Sequence, residues 1–124
     1  MSQKEKILVV DDEEDLVKLV KYHLERDGYK VLSAGNGEDA LFLVRRERPE
    51  LIVLDIMLPK IDGLEVCRKI KADPALEKTA IVMLTAKGEE SDITIVLKLG
   101  ADDYVTKHFS TKELVARVQA VLRR

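Results

Sequence analysis

The sequence has 124 residues, 46% hydrophobic and 35% charged, a size and composition that suit one soluble globular core. No apolar run approaches the ~20 residues a membrane span needs, and 21 basic against 23 acidic residues leave a net charge of −2, with no basic field to hold nucleic acid. One cysteine, Cys67, excludes an internal disulfide or a multi-cysteine metal site, and Met1 to Lys6 lacks the apolar stretch of a signal peptide, so the cytoplasm is the expected compartment.

The first element is Lys6-Ile7-Leu8-Val9-Val10, a continuous β-branched run that stops at the four acids Asp11 to Glu14. Continuous rather than alternating apolar residues mark a strand covered on both faces. From Asp15 to Asp27, Leu16, Leu19, Val20 and Leu24 recur at three- and four-residue steps and Gly28 supplies a left-handed stop, which predicts a helix. The pair repeats as a strand over Lys30 to Ala34, a turn at Gly35-Asn36-Gly37, and a helix carrying Ala40, Leu41, Leu43 and Val44 to Arg45-Arg46. Leu51-Ile52-Val53-Leu54-Asp55 is the most hydrophobic strand and ends on an acid. A loop over Ile56 to Asp62 leads to Gly63 and a helix with Leu64, Val66, Cys67 and Ile70 inward, closed by Asp73-Pro74.

Ala80 to Thr85 reads as the fourth strand, followed by a polar loop over Ala86 to Glu90, a helix from about Ser91 to Leu99, and Gly100 as its cap. Asp103 to Thr106 is a short fifth strand ending at Lys107. Ser110 or Thr111, with Glu113, caps a last helix that turns Leu114, Val115, Val118 and Leu122 inward. Strict strand and helix alternation predicts an α/β fold with a doubly wound five-stranded parallel sheet, flavodoxin-like in the order 2-1-3-4-5, with five helices.

Ligands of such sheets bind beyond the carboxyl ends of the strands, at the switch point between strands 1 and 3. There the first strand delivers Asp11 and Asp12, the third Asp55, the fourth Thr85 and the fifth Lys107. Three crowded carboxylates repel, so they shift pKa or recruit a cation, and oxygen-only ligation favours Mg2+ or Mn2+. A metal, an ammonium and a hydroxyl around a carboxylate suit acceptance of a phosphoryl group on an Asp. A nucleotide site is disfavoured: the turn after the first strand is Asp-Asp-Glu-Glu where a dinucleotide or P-loop site needs glycines. A haloacid-dehalogenase-type site needs a second acid two residues after its nucleophile, where this chain has Met57.

Four segments together resemble the receiver domain of bacterial two-component response regulators. They are Ile7 to Glu13, Leu54-Asp55-Ile56-Met57-Leu58-Pro59-Lys60-Ile61-Asp62-Gly63, Leu84-Thr85-Ala86, and Gly100 to Lys107, each at a strand end and in this order. The resemblance covers residues 1–124 as one receiver domain and implies that Asp55 takes a phosphoryl group from a sensor histidine kinase. It implies that Asp12, Asp55 and the backbone carbonyl of Met57 bind Mg2+ directly, with Asp11 acting through water, and that Thr85 and Lys107 contact the phosphoryl oxygens. Thr85 and Tyr104 would form the switch that reshapes the face of the fourth helix, fifth strand and fifth helix, where Asp103, Glu113 and Arg117 lie. Autophosphorylation and autodephosphorylation are implied, without small-molecule turnover.

The end of the chain is similar to receivers of the winged-helix transcription-factor class, which implies a following DNA-binding domain, with no nucleic-acid or membrane contact by the receiver itself. Phosphorylation-dependent homodimers of that class use salt bridges between the fourth and fifth helices. Asp103 with Arg117 retains one such pair, but Ile93 stands where a basic partner for Glu113 is expected, and Lys98 and Gln119 replace another pair. Ile93 and Ile95 could make an apolar contact instead or pack inward. His108 stands where the family carries a proline, commonly after a cis peptide bond, and cis before a non-proline residue costs about 2.5 to 4 kcal/mol. The bond is therefore trans, with Lys107 presented differently, or strain sits beside the site. This departure sets the alternative reading, a pseudo-receiver that acts as an interaction module with impaired phosphorylation. A flavodoxin-like cofactor binder is disfavoured by the acids after the first strand and the lack of tryptophan. Glu13 and Glu14 are assigned to the positive amino end of the first helix, Cys67 to packing, and His23 to the surface or boundary.

Overall fold

The computed structural model describes residues 5–85, 90–107 and 110–124, with side chains from 93 onward in the middle segment. Five parallel strands, β1 (Lys6–Val10), β2 (Lys30–Ala34), β3 (Leu51–Asp55), β4 (Ala80–Thr85) and β5 (Asp103–Thr106), form one sheet in the order β2-β1-β3-β4-β5. The helices α1 (Glu14–Arg26), α2 (Gly37–Glu47), α3 (Gly63–Ala72), α4 (Glu90–Lys98) and α5 (Thr111–Leu122) alternate with them.

The continuous apolar strands serve two cores because successive side chains leave opposite faces of a sheet. Leu8, Val10, Ile52, Leu54, Ile81 and Met83 face one side, packed with Ala40, Leu41 and Val44 of α2 and Val66, Cys67 and Ile70 of α3. Ile7, Val9, Leu51, Val53, Val82 and Leu84 face the other, against Val20 and Leu24 of α1 and Leu114 and Val118 of α5. Full burial of a Leu or Ile in such a core contributes about 1.5 to 3 kcal/mol over leaving it exposed. Among the described residues no helix is long and apolar enough to cross a membrane.

Packing sorts the apolar residues of α1 and α5 by depth. Leu19 is 48% exposed, and Val17 lies against the core instead. At 100° per residue the buried Val20 and Leu24 share their stripe with Leu16 and Val17, whereas Leu19 sits a full step to one side. On α5, Val121 is buried at the end of the stripe and Leu122 only partly so. α1 and α4 each begin one residue earlier than expected. Ser110 rather than Thr111 is the α5 cap, its Oγ accepting from the Glu113 N–H at 3.1 Å. Ile95 is 44% exposed while Ile93 is partly buried, so the apolar side of α4 is split between the interior and the surface.

Register carries the sheet's chemistry to one edge. Val10 pairs with Leu54, Asp55 with Leu84, and Thr85 with Thr106, so the residues that follow the strands emerge side by side. Gly63 sets how closely α3 approaches this edge: a Cβ there would run into the carbonyl oxygen of Asp55, and its own N–H donates to Ile56 O at 2.8 Å.

Candidate functional site

Asp11 leaves β1 with its N–H donated to Ala34 O at 3.2 Å, and Asp55 is the last residue of β3. Both are 2% exposed. Each carboxylate also organises the turn after its strand, Asp11 Oδ1 accepting from the Glu13 N–H at 2.9 Å and Asp55 Oδ1 from the Met57 N–H at 3.1 Å. Asp12 is exposed and turns toward the same place, so that one oxygen from each of Asp11, Asp12 and Asp55 lies within 4.8 Å of the others. Burial raises the Asp11 pKa above its ordinary value; the Glu13 N–H opposes this, the Asp55 charge adds to it and Lys107 relieves part of it.

Lys107 follows β5, and its backbone N–H donates to Thr85 O at 2.6 Å, fixing where the side chain starts. Its Nζ donates to Asp55 Oδ2 and to Glu13 Oε1, both at 2.9 Å, and lies 3.2 Å from Asp11 Oδ2 as an ion pair without hydrogen-bond geometry. Burial by itself disfavours the ammonium, but the hydrogen bonds to Asp55 and Glu13 and the charges of Asp55 and Asp11 outweigh it and raise the Lys107 pKa. Among the described residues, two buried oxygens keep unused hydrogen-bonding capacity, Asp11 Oδ2 and Thr85 Oγ1, the latter on a residue that is 0% exposed. Buried polar atoms are nearly always paired, so two orphans at one edge mark a place made for something else to bind.

The sequence-derived set of Asp11, Asp12, Asp55, Thr85 and Lys107 thus gathers at the strand ends. The Met57 side chain is 74% exposed beside it. Tyr104 is partly buried against the α2–α3 core. Asp103, Glu113 and Arg117 form a separate group at the α5 surface, where Arg117 Nη1 lies 3.2 Å from Asp103 Oδ2 and its Nε 3.4 Å from Glu113 Oε1. The loop over 86–89 and His108, with the Lys107–His108 peptide, lie outside the described residues.

Glu13 and Glu14 do stand at the amino end of α1, and Glu13 has a further contact that the acidic turn did not reveal. It occupies the α1 N-cap position, yet its side chain makes no capping hydrogen bond and crosses to Lys107 instead. The only sequence signal was a run of acids facing a single lysine at the same sheet edge. Asp102 was missed as a support: its Oδ2 accepts from the Ile81 N–H at 2.8 Å, tying the start of β4 to the entry of β5.

A groove of about 870 Å³ opens from Asp11 and Asp12 along α1 and α2, past Lys18, Lys21, Ser33 and Phe42. It leaves the acidic edge accessible from the β2 side.

The chain is similar to known proteins over nearly its whole length. The chain is 56% identical over 119 residues to the alkaline phosphatase synthesis transcriptional regulatory protein PhoP of Bacillus subtilis, covering 96% of this chain and 49% of that protein. It is 50% identical over 123 residues to the probable transcriptional regulator ycf27 of Porphyra purpurea, covering 99% of this chain and 49% of the relative. It therefore spans about half the length of these curated relatives. Among solved structures, a putative response regulator from Chloroflexus aurantiacus superposes with a TM-score of 0.93 at 34% identity, over 98% of this chain and 100% of that one. The BeF3-activated DrrB receiver domain superposes with a TM-score of 0.87 at 38% identity, over 98% and 100% of the two chains. The family model of the response regulator receiver domain matches residues 7–119, and the chain belongs to that family.

Proposed function

We propose that the chain is a phosphorylation-controlled switch in which Asp55 accepts a phosphoryl group from a phosphohistidine of a sensor kinase. The observation that carries this is the meeting of three carboxylates, the Lys107 ammonium 2.9 Å from Asp55 Oδ2, and the orphaned Thr85 hydroxyl at one accessible edge. A carboxylate oxygen of Asp55 attacks the phosphorus, the P–N bond breaks, and the imidazole leaves and takes up a proton, giving an acyl phosphate on Asp55. Lys107 balances charge on the transferred group, and the Thr85 hydroxyl donates to one of its oxygens.

The donor set also suits a hard divalent cation. Three all-oxygen side chains meet within 4.8 Å, and the buried Asp11 Oδ2 accepts no hydrogen bond from the described residues. Asp12, Asp55 and the Met57 carbonyl would hold Mg2+ directly, with Asp11 through water. The ion would supply positive charge that lets an anionic phosphoryl group approach carboxylates which would otherwise repel it. Thr85 drawn toward the phosphoryl group leaves space toward Tyr104, and that shift biases the α4-β5-α5 face, where Asp103, Glu113 and Arg117 are exchanged into contacts with an output domain, a DNA-binding module or a second copy. The two relatives named as transcriptional regulators support an output of that kind.

Incubation with Mg2+ and acetyl phosphate or phosphoramidate, followed by intact mass spectrometry, tests the reading. One added phosphoryl group, about 80 Da, is expected in the wild type and none in Asp55→Asn. No gain in the wild type, despite measurable Mg2+ binding, would overturn it in favour of a pseudo-receiver.

A further inference from the structure

An ammonium has three N–H donors and no more. Lys107 faces three carboxylates: it donates to Asp55 Oδ2 and Glu13 Oε1, both at 2.9 Å, and lies 3.2 Å from Asp11 Oδ2. Two of its donors are in hydrogen bonds, and the third meets Asp11 Oδ2 without hydrogen-bond geometry, so an incoming phosphoryl oxygen competes with three negative charges that already hold the ammonium.

The three differ in how easily they are released. Asp11 and Asp55 are buried, fixed at strand ends, and each accepts a backbone N–H in the turn that follows. The Glu13 side chain is 63% exposed, so water can take over its carboxylate as soon as the ammonium leaves. Glu13 also occupies the N-cap of α1 without a capping hydrogen bond, and its carboxylate accepts from Lys107. Charge-assisted hydrogen bonds to exposed groups are weak enough to exchange, yet they fix a flexible lysine in one rotamer while they last.

We infer that Glu13 is a positioning residue, a latch that holds the Lys107 ammonium over Asp55 in the unphosphorylated protein and is the partner released when a phosphoryl oxygen arrives. This rests on the proposed function above. The latch keeps Lys107 close to the acceptor at the expense of the phosphorylated state, whose phosphoryl oxygens compete with Glu13 for the ammonium.

Two readouts on the wild type, Glu13→Gln and Glu13→Asp test the inference. The first is the affinity for beryllofluoride in the presence of Mg2+. The second is the rate at which an amine-acylating reagent labels Lys107 in metal-free protein, followed by peptide mass spectrometry. Glu13→Gln is expected to bind beryllofluoride roughly two- to fivefold more tightly and to label faster by a similar factor, the range an exposed ion pair sets. Glu13→Asp keeps the charge but is one methylene too short, and is expected to shift in the same direction. If Glu13→Asp matches the wild type while Glu13→Gln differs, the effect is only the field of the charge and the latch is overturned. Unchanged labelling in both variants overturns it as well. If the wild type takes up no beryllofluoride, the proposed function fails, and the Lys107 labelling rates still decide the latch.

Discussion

At the carboxyl edge of the sheet, Asp11 is 2% exposed with an oxygen that accepts no hydrogen bond, whereas on α5 the half-exposed Arg117 reaches both Asp103 and Glu113. Both regions are groups of opposite charges a few ångströms apart, but their surroundings give them different energetic weight. Water screens the α5 group and takes over any partner that leaves. At the sheet edge, desolvation makes every unpaired oxygen expensive, and the fold tolerates two of them. An edge that holds such groups without satisfying them is poised for a ligand; a surface network whose groups are already paired is poised only to exchange partners.

Removing charge from the edge should have the largest effect. Asp11 has a raised pKa because burial outweighs its favourable contacts, so the folded protein holds that proton more tightly than the unfolded chain does. The sign follows: the stabilising contribution of Asp11 is complete below the unfolded value of about 3.9 and is lost as pH rises through the folded value. In Mg2+-free buffer Asp11→Asn should therefore stabilise the fold near neutral pH by on the order of 1 kcal/mol, with the gain shrinking as the pH falls. The substituted side chain keeps an oxygen for the Glu13 N–H. Urea denaturation across pH checks this, and a destabilised Asp11→Asn at neutral pH would show that the Lys107 contact outweighs burial.

The Thr85 hydroxyl bears the same kind of desolvation cost with no charge involved. It is 0% exposed and has no hydrogen-bond partner among the described residues, so the isosteric Thr85→Val should stabilise the unmodified protein by about 1 kcal/mol while weakening its hold on beryllofluoride. A loss of stability in Thr85→Val would mean that the hydroxyl is satisfied in solution.

Much of the edge was legible in the sequence because each functional group stands at the boundary where an apolar run stops. Val10 gives way to Asp11, Leu54 to Asp55, and Val105-Thr106 to Lys107, so finding the strands locates the groups, and parallel topology brings them to one edge. The helix faces were less legible. Leu19 and Val20 are adjacent and both apolar, and only tertiary packing decides that Val20 goes inward and Leu19 stays 48% exposed. Val121 and Leu122 divide less sharply, Val121 buried and Leu122 partly buried against the same core. Glu13 was illegible for a different reason. Its partner lies 94 residues away, and local logic assigned it to the amino end of its own helix, where it makes no capping bond.

The α5 group should show the smallest response. Arg117 is held by Asp103 and Glu113, chiefly through its hydrogen bonds to Asp103, and its pKa is raised accordingly. All three side chains keep access to water, at 43% exposure for Arg117. Exposed ion pairs contribute about 0.2 to 1 kcal/mol, and truncation also releases the conformational entropy of a long side chain. Arg117→Ala should therefore move the urea midpoint by less than about 0.5 kcal/mol of stability, half or less of the change at Asp11 or Thr85. Its effect belongs instead to association. If the face exchanges these pairs with a second copy when Asp55 is phosphorylated, the beryllofluoride-loaded wild type should self-associate in sedimentation experiments and loaded Arg117→Ala should do so less. A loss of more than about 2 kcal/mol from Arg117→Ala would contradict the contrast itself, because an exposed pair cannot supply that much unless it is part of the core.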